Sequence, residues 1–130
     1  GFAVNYPWEM AQMPLYEGMR FDDLRSYLIC LRASFGDANI SLLIFLLGRL
    51  LFGNWTWPRK PTVLNAAYAA AVGAGIAVGI ERHALATSRW SYTTLMPVIP
   101  ILQAGLVPVI QLVILPYISL IVAEKLRERI

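Results

Sequence analysis

The chain reads as long apolar runs broken by short polar ones, with no sustained alternation of the kind a half-buried strand needs. Apolar stretches cover about 1–19, 24–52, 62–80 and 94–123, and charges gather around 17–25, 54–61 and 81–91 and at the C-terminal end. A helix needs roughly 20 mostly apolar residues to cross a hydrocarbon layer about 30 Å thick. The pattern therefore predicts an all-α, polytopic integral membrane protein. One domain over 1–130 would hold four transmembrane helices, the second and fourth broken or kinked, with no sheet.

Each segment sharpens that prediction. Residues 1–19 would measure about 28 Å as a helix, enough for a crossing if Gly1 lies near one surface, with bends at Pro7 and Pro14. The chain reads as beginning inside or just before this helix. Asp22 or Asp23 suits the N-cap of the second segment. Unbroken from Asp23 to Phe52, that helix would be about 45 Å long. A break is therefore expected at "SFGD", with Gly36 relaxing the backbone, Asp37 capping the deep part "ANISLLIFLLGRLLF", and residues 24–35 lying at the interface. "GNWTWPRKP" reads as a surface loop whose Trp55 and Trp57 suit an aromatic belt. In the third segment Ala71, Gly75 and Gly79 recur every four residues, a small-residue face for close helix packing. The fourth contains Pro97, Pro100, Pro108 and Pro116, so "MPVIPILQ" is expected to be a broken or partly re-entrant lead-in to the last helix.

Composition agrees with the pattern: 58% hydrophobic and 15% charged residues leave more apolar surface than a soluble domain of 130 residues can bury. The formal net charge of +3 is spread over loops and the C-terminus and forms no basic stripe, which argues against a nucleic-acid partner. Membrane topology accounts for it instead. With four crossings, Arg49, Arg59, Lys60, Lys125, Arg127 and Arg129 share the C-terminal side, and Arg20, Arg25, Arg32, Arg82 and Arg89 the other. That bias, six against five, leans towards a cytoplasmic C-terminus. A lone cysteine, Cys30, excludes an internal disulfide and reads as a small core hydrophobe. No signal-peptide pattern opens the sequence.

Against this apolar background one polar stripe stands out. Asn5, Glu9, Gln12 and Tyr16 are four, three and four residues apart, hence on one helix face. An ionisable group at mid-membrane costs about 2.5–3.5 kcal/mol on insertion scales, so Glu9 should face the bundle interior, partnered or neutral. The expected layout brings Asp37, Glu81, His83, Trp90 and Tyr92 to the side on which the first segment ends. Candidate catalytic residues are Glu9 as the acid, with Asp37 or Glu81 as base or electrostatic stabiliser. Candidate ligand contacts are Asn5, Trp8, Gln12, Tyr16, Trp90, Tyr92 and Gln103. Gln103 and Gln111 also suit plain interhelical hydrogen bonding. No phosphate-cradling glycine loop, HExxH or Cys/His metal spacing occurs, so no metal site is expected and no cofactor is indicated.

Such residues suit general acid–base processing of an apolar ligand, an isoprenoid, sterol or acyl lipid, in a low-dielectric pocket. Two other classes fit the same pattern: a non-catalytic small subunit of a photosynthetic or respiratory complex, and a proton-coupled carrier. The partners expected are membrane lipids, an apolar small molecule and further membrane subunits.

Overall fold

The computed structural model describes all 130 residues. Its architecture is built on four α-helices: α1 (Phe2–Ala11), α2 (Leu24–Phe52), α3 (Val63–Ala86) and α4 (Leu106–Arg129). Three of these, α2, α3 and α4, are long and apolar enough to cross a membrane, the signature of a multi-pass membrane protein. The first helix is different. Its ten residues extend about 15 Å, and Gly1 lies against Ala38 and Ser41 near the middle of α2. It therefore runs from mid-depth towards the end where α2 begins, and these residues do not supply the fourth crossing expected from 1–19. The chain turns after Ala11 through a short 3-10 segment, Met13–Leu15, that contains Pro14.

The expected break in the second segment is absent, and α2 continues through Ser34, Phe35, Gly36 and Asp37. In hydrocarbon a break would leave backbone donors and acceptors without partners, whereas a glycine inside a helix costs only about 1 kcal/mol. Continuity wins. Asp23 caps the helix, as its place in the sequence suggests, its carboxylate accepting from the Arg25 N–H at 3.0 Å, and Gly53 ends the helix with a left-handed φ of 71°. The buried face of α2 is mostly small: Ser26, Cys30, Ser34, Ser41, Ile44 and Gly48. The Ser34 and Ser41 hydroxyls donate back to the carbonyls of Cys30 and Asp37 at 2.8 and 2.9 Å, so they enter the packed interior already satisfied.

Trp57 fills the space over Gly48, where an added Cβ would come within 2.6 Å of the indole ring. It is buried against Phe52, Tyr68 and Tyr117 and donates its Nε1–H to the Phe45 carbonyl at 3.1 Å, so it belongs to the core and not to an exposed belt. Trp55 is exposed, with the Arg49 guanidinium 4.6 Å above its ring.

The third helix begins at Thr62, whose side chain accepts from the Asn65 N–H. It packs most extensively on α4, through Ala69, Gly73 and Ala77. Ala71, Gly75 and Gly79, the face expected to pack, are exposed, and nothing lies within 4 Å of a Cβ built on Gly75 or Gly79. Two stripes of small residues with four-residue spacing run along this helix, and their hydropathy does not say which faces inward. Asn65 ties the preceding loop down: its Nδ2 donates to the Trp57 carbonyl at 2.7 Å and to the Lys60 carbonyl at 3.1 Å. Asn65→Ala strips both partners from a buried site and is expected to lower stability by about 1–3 kcal/mol. A denaturation midpoint in detergent equal to that of the wild type would contradict this.

A two-stranded antiparallel ribbon, Val98–Ile99 with Ala104–Gly105, leads into α4. This is a small departure from the sheet-free expectation, and Pro97 and Pro100, which lack the N–H a helix needs, are consistent with it. Upstream, Tyr16 and Tyr92 form an antiparallel bridge. Glu17 N–H donates to the Ser91 carbonyl and Thr93 N–H to the Leu15 carbonyl, both at 2.9 Å. The segments after α1 and α3 are thus laced together at the end of the bundle where α2 and α4 start.

Candidate functional site

Beneath that lacing lies a cavity of about 1050 Å³, bounded by one face of α2, the C-terminal part of α3, the end of α1 and the first turns of α4. Glu9, Gln12, Asp37 and Gln111 lie on its inner wall, with Tyr16, Glu81 and Trp90 beside them. Helix periodicity explains the convergence. Asn5 and Glu9 are one turn apart on α1 with Gln12 at its C-cap, and Glu81 continues the four-residue series Ala69, Gly73, Ala77 on the buried face of α3. The third helix runs to Ala86 and does not stop at Ile80, which puts Glu81 well inside it.

Gln111 is the hub of the first of two polar clusters. It is buried, with Nε2 at 3.0 Å from Asn5 Oδ1, 2.8 Å from Glu9 Oε1 and 2.8 Å from Asp37 Oδ2, while its Oε1 accepts from Gln12 Nε2 at 3.2 Å. An amide nitrogen has two hydrogens to give, so three acceptors exceed what Gln111 can donate. Glu9 and Asp37 also lie within hydrogen-bond reach of each other. A proton on one of the two carboxyls satisfies the other and completes the donor count, and no lysine or arginine pairs with either. Gln12 Oε1 remains buried without a partner.

Glu81 organises the second cluster. The hydroxyl of Tyr92, the indole N–H of Trp90 at 3.3 Å and the hydroxyl of Tyr16 at 3.5 Å all point to its carboxylate. Burial first, and then the neighbouring Glu81 carboxylate, push both phenols above the ordinary tyrosine value. Both therefore remain protonated donors at neutral pH. Tyr92 also accepts from the Gly105 N–H at 2.9 Å, which joins this cluster to the start of α4. Gly105 has no room for a side chain, since a Cβ there would come within 3.1 Å of the Tyr92 ring and 2.9 Å of Met96 Sδ.

The sequence expectations divide accordingly. Asn5, Glu9, Gln12 and Asp37 meet at Gln111, and Tyr16, Trp90 and Tyr92 meet at Glu81. Trp8 and Gln103 do not join them. Trp8 is half-buried outside the cavity wall with its Nε1 unpartnered, and Gln103 is exposed at the turn of the ribbon, at φ 51°. His83 is exposed as well. Gln111 was legible only as a helix–helix contact. Its signal is that it is the one polar side chain in the run from Leu106 to Pro116. Glu9, Asp37 and Glu81 do not group as ligands for a metal ion.

No family model matches the chain, and neither a curated protein nor a solved structure is significantly similar to it. Function must therefore be argued from these two clusters and the cavity they share. Chemically, the arrangement offers two carboxyls within hydrogen-bond reach of each other, which one proton would join, and a separate carboxylate held by three donors.

Proposed function

We propose that this membrane protein binds an apolar ligand in the cavity and transfers a proton to and from it through the Glu9–Asp37 pair. The observation that carries this reading is the donor shortage at Gln111, which favours a shared proton on the Glu9–Asp37 pair at the wall of a ligand-sized space. A proton donor and its acceptor so placed suit an isomerisation or cyclisation, in which one proton is added to a double bond of an isoprenoid, sterol or acyl chain and another is removed elsewhere. Glu9 gives the proton and Asp37 accepts one. Glu81, already holding three donors, is the poorer base and acts as fixed negative charge, with the Tyr16 and Trp90 rings beside it, for positive charge developing on the ligand. The six-to-five distribution of basic residues leans towards a cytoplasmic C-terminus, with the cavity opening on the other side.

The test is mass spectrometry of apolar molecules that co-purify in mild detergent. One prenyl, sterol or acyl compound is expected at about one per chain, and Gly36→Phe, which places a ring on the cavity wall, should displace it. Recovery of bulk lipid alone, identical in both proteins, would overturn the reading. A second reading, a non-catalytic subunit of a larger complex, draws on the outward stripe of Ala71, Gly75 and Gly79, which leaves α3 open to a neighbouring helix. A proton-coupled carrier is the third.

A further inference from the structure

We infer that the ligand is an amphiphile with an anionic phosphate or carboxylate head, held by Arg25, Arg32 and Arg89 at the rim of the cavity while its chain runs inward to Glu9 and Asp37. This deepens the proposed function and rests on it. All three arginines line the cavity. The ion pairs of the molecule are made by Arg20, Arg59 and Arg127, and none of the three rim guanidiniums has a carboxylate within 4.0 Å. Two carboxylates share the rim, and both are engaged: Asp23 caps α2, and Glu17 accepts from the Ser91 hydroxyl at 3.1 Å. The rim guanidiniums are thus without an ion pair, Arg89 lying 5.9 Å from the centre of the Trp90 ring, and a planar fork of N–H groups matches phosphate or carboxylate oxygens.

Depth agrees with charge. Arg25 is in the first turn of α2 and Arg89 follows the end of α3, both at the level where a bilayer places its headgroups. The cavity walls also include Ile29, Ile40, Ile80, Leu85 and Leu112, apolar surface for a chain. Along α2, Arg32 precedes Asp37 by five residues and Arg25 by twelve, so at 1.5 Å per residue the proton-bearing pair lies roughly 8–18 Å below the head. The cavity volume, about 1050 Å³, is slightly above the usual range for small-molecule sites of about 300–1,000 Å³. A single chain with a compact head fits that space and spacing. The proton-bearing floor and the cationic rim would then act on different parts of one molecule.

The experiment is binding of dodecyl phosphate, dodecanoate, dodecanol and inorganic phosphate to the protein in phosphatidylcholine nanodiscs, read by tryptophan fluorescence, with Trp90 at the rim as reporter. Dodecyl phosphate or dodecanoate should bind at least tenfold more tightly than dodecanol, and inorganic phosphate should not bind. The preferred head distinguishes a phosphate from a carboxylate ligand. Arg32→Gln and Arg25→Gln should remove that preference, and Arg82→Gln, outside the cavity, should leave it intact. Equal affinity for dodecanol and both anions, unaffected by the rim variants, would overturn the anionic head while leaving the apolar-ligand reading standing. Binding of none of the four would overturn both, and tight binding of inorganic phosphate alone would overturn the amphiphile.

Discussion

Gly73→Ala is expected to destabilise the bundle, and Gly75→Ala, two residues along the same helix, is not. Both substitutions gain the same helix propensity, about 1 kcal/mol, so their difference isolates packing. A Cβ on Gly73 would overlap the carbonyl oxygen of Leu112 and lie 2.8 Å from its carbonyl carbon. Those are backbone atoms of α4, which no rotamer change can move, so α3 and α4 must separate at their main contact. Overpacking of this kind costs about 1–3 kcal/mol or more, enough to outweigh the propensity gain. A Cβ on Gly75 meets nothing within 4 Å. Denaturation in detergent should place Gly73→Ala below the wild type and Gly75→Ala level with it or above. Equal midpoints for the two variants would mean that α3 does not approach α4 through Gly73.

That pair also shows what could be read from the chain alone. Run length and charge punctuation are enough to locate three helices long enough to cross a membrane, because the hydrocarbon sets a minimum that α2, α3 and α4 all exceed. Orientation of a small-residue stripe is not legible that way, since Ala69, Gly73 and Ala77 have the same spacing as Ala71, Gly75 and Gly79, and only the position of Leu112 decides between them. Depth is lost for a similar reason. The polar stripe of α1 follows from a spacing of four and three, but its level beside the middle of α2 depends on the contact of Gly1 with Ala38. Gly36 suggested a break because glycine is flexible, whereas the lack of competing water in a bilayer keeps α2 helical. Of the candidate site, the carboxylates were legible as costly residues in an apolar setting. The clasp on Glu81 was not, because it depends on Tyr16 and Tyr92 being paired across two loops 76 positions apart in sequence (92 minus 16). Gln111 looked like an ordinary glue residue. Its role follows from having four polar partners at once, which no spacing rule reveals.

Glu9→Gln is expected to leave fold and ligand binding nearly intact while reducing conversion of the co-purified ligand by about 10²–10⁴-fold, the usual contribution of a general acid. Its amide keeps an oxygen to accept from Gln111 and presents an N–H towards Asp37 in the place of the proposed shared proton. Every donor count in the cluster is then still met, so the network has no reason to open. What disappears is the transferable proton. Glu9→Leu is the contrasting change: Gln111 keeps Asn5 and Asp37 for its two hydrogens, but Asp37 loses the carboxyl within its hydrogen-bond reach and gains nothing in its place, which should lower stability by about 1–3 kcal/mol. Side by side, the two variants separate chemistry from architecture. Loss of turnover with an unshifted midpoint in Glu9→Gln, against a lowered midpoint in Glu9→Leu, is the result expected of a proton donor. Full turnover in Glu9→Gln would remove Glu9 from the mechanism. Unfolding in Glu9→Gln would make the cluster a structural device and leave the subunit reading in its place.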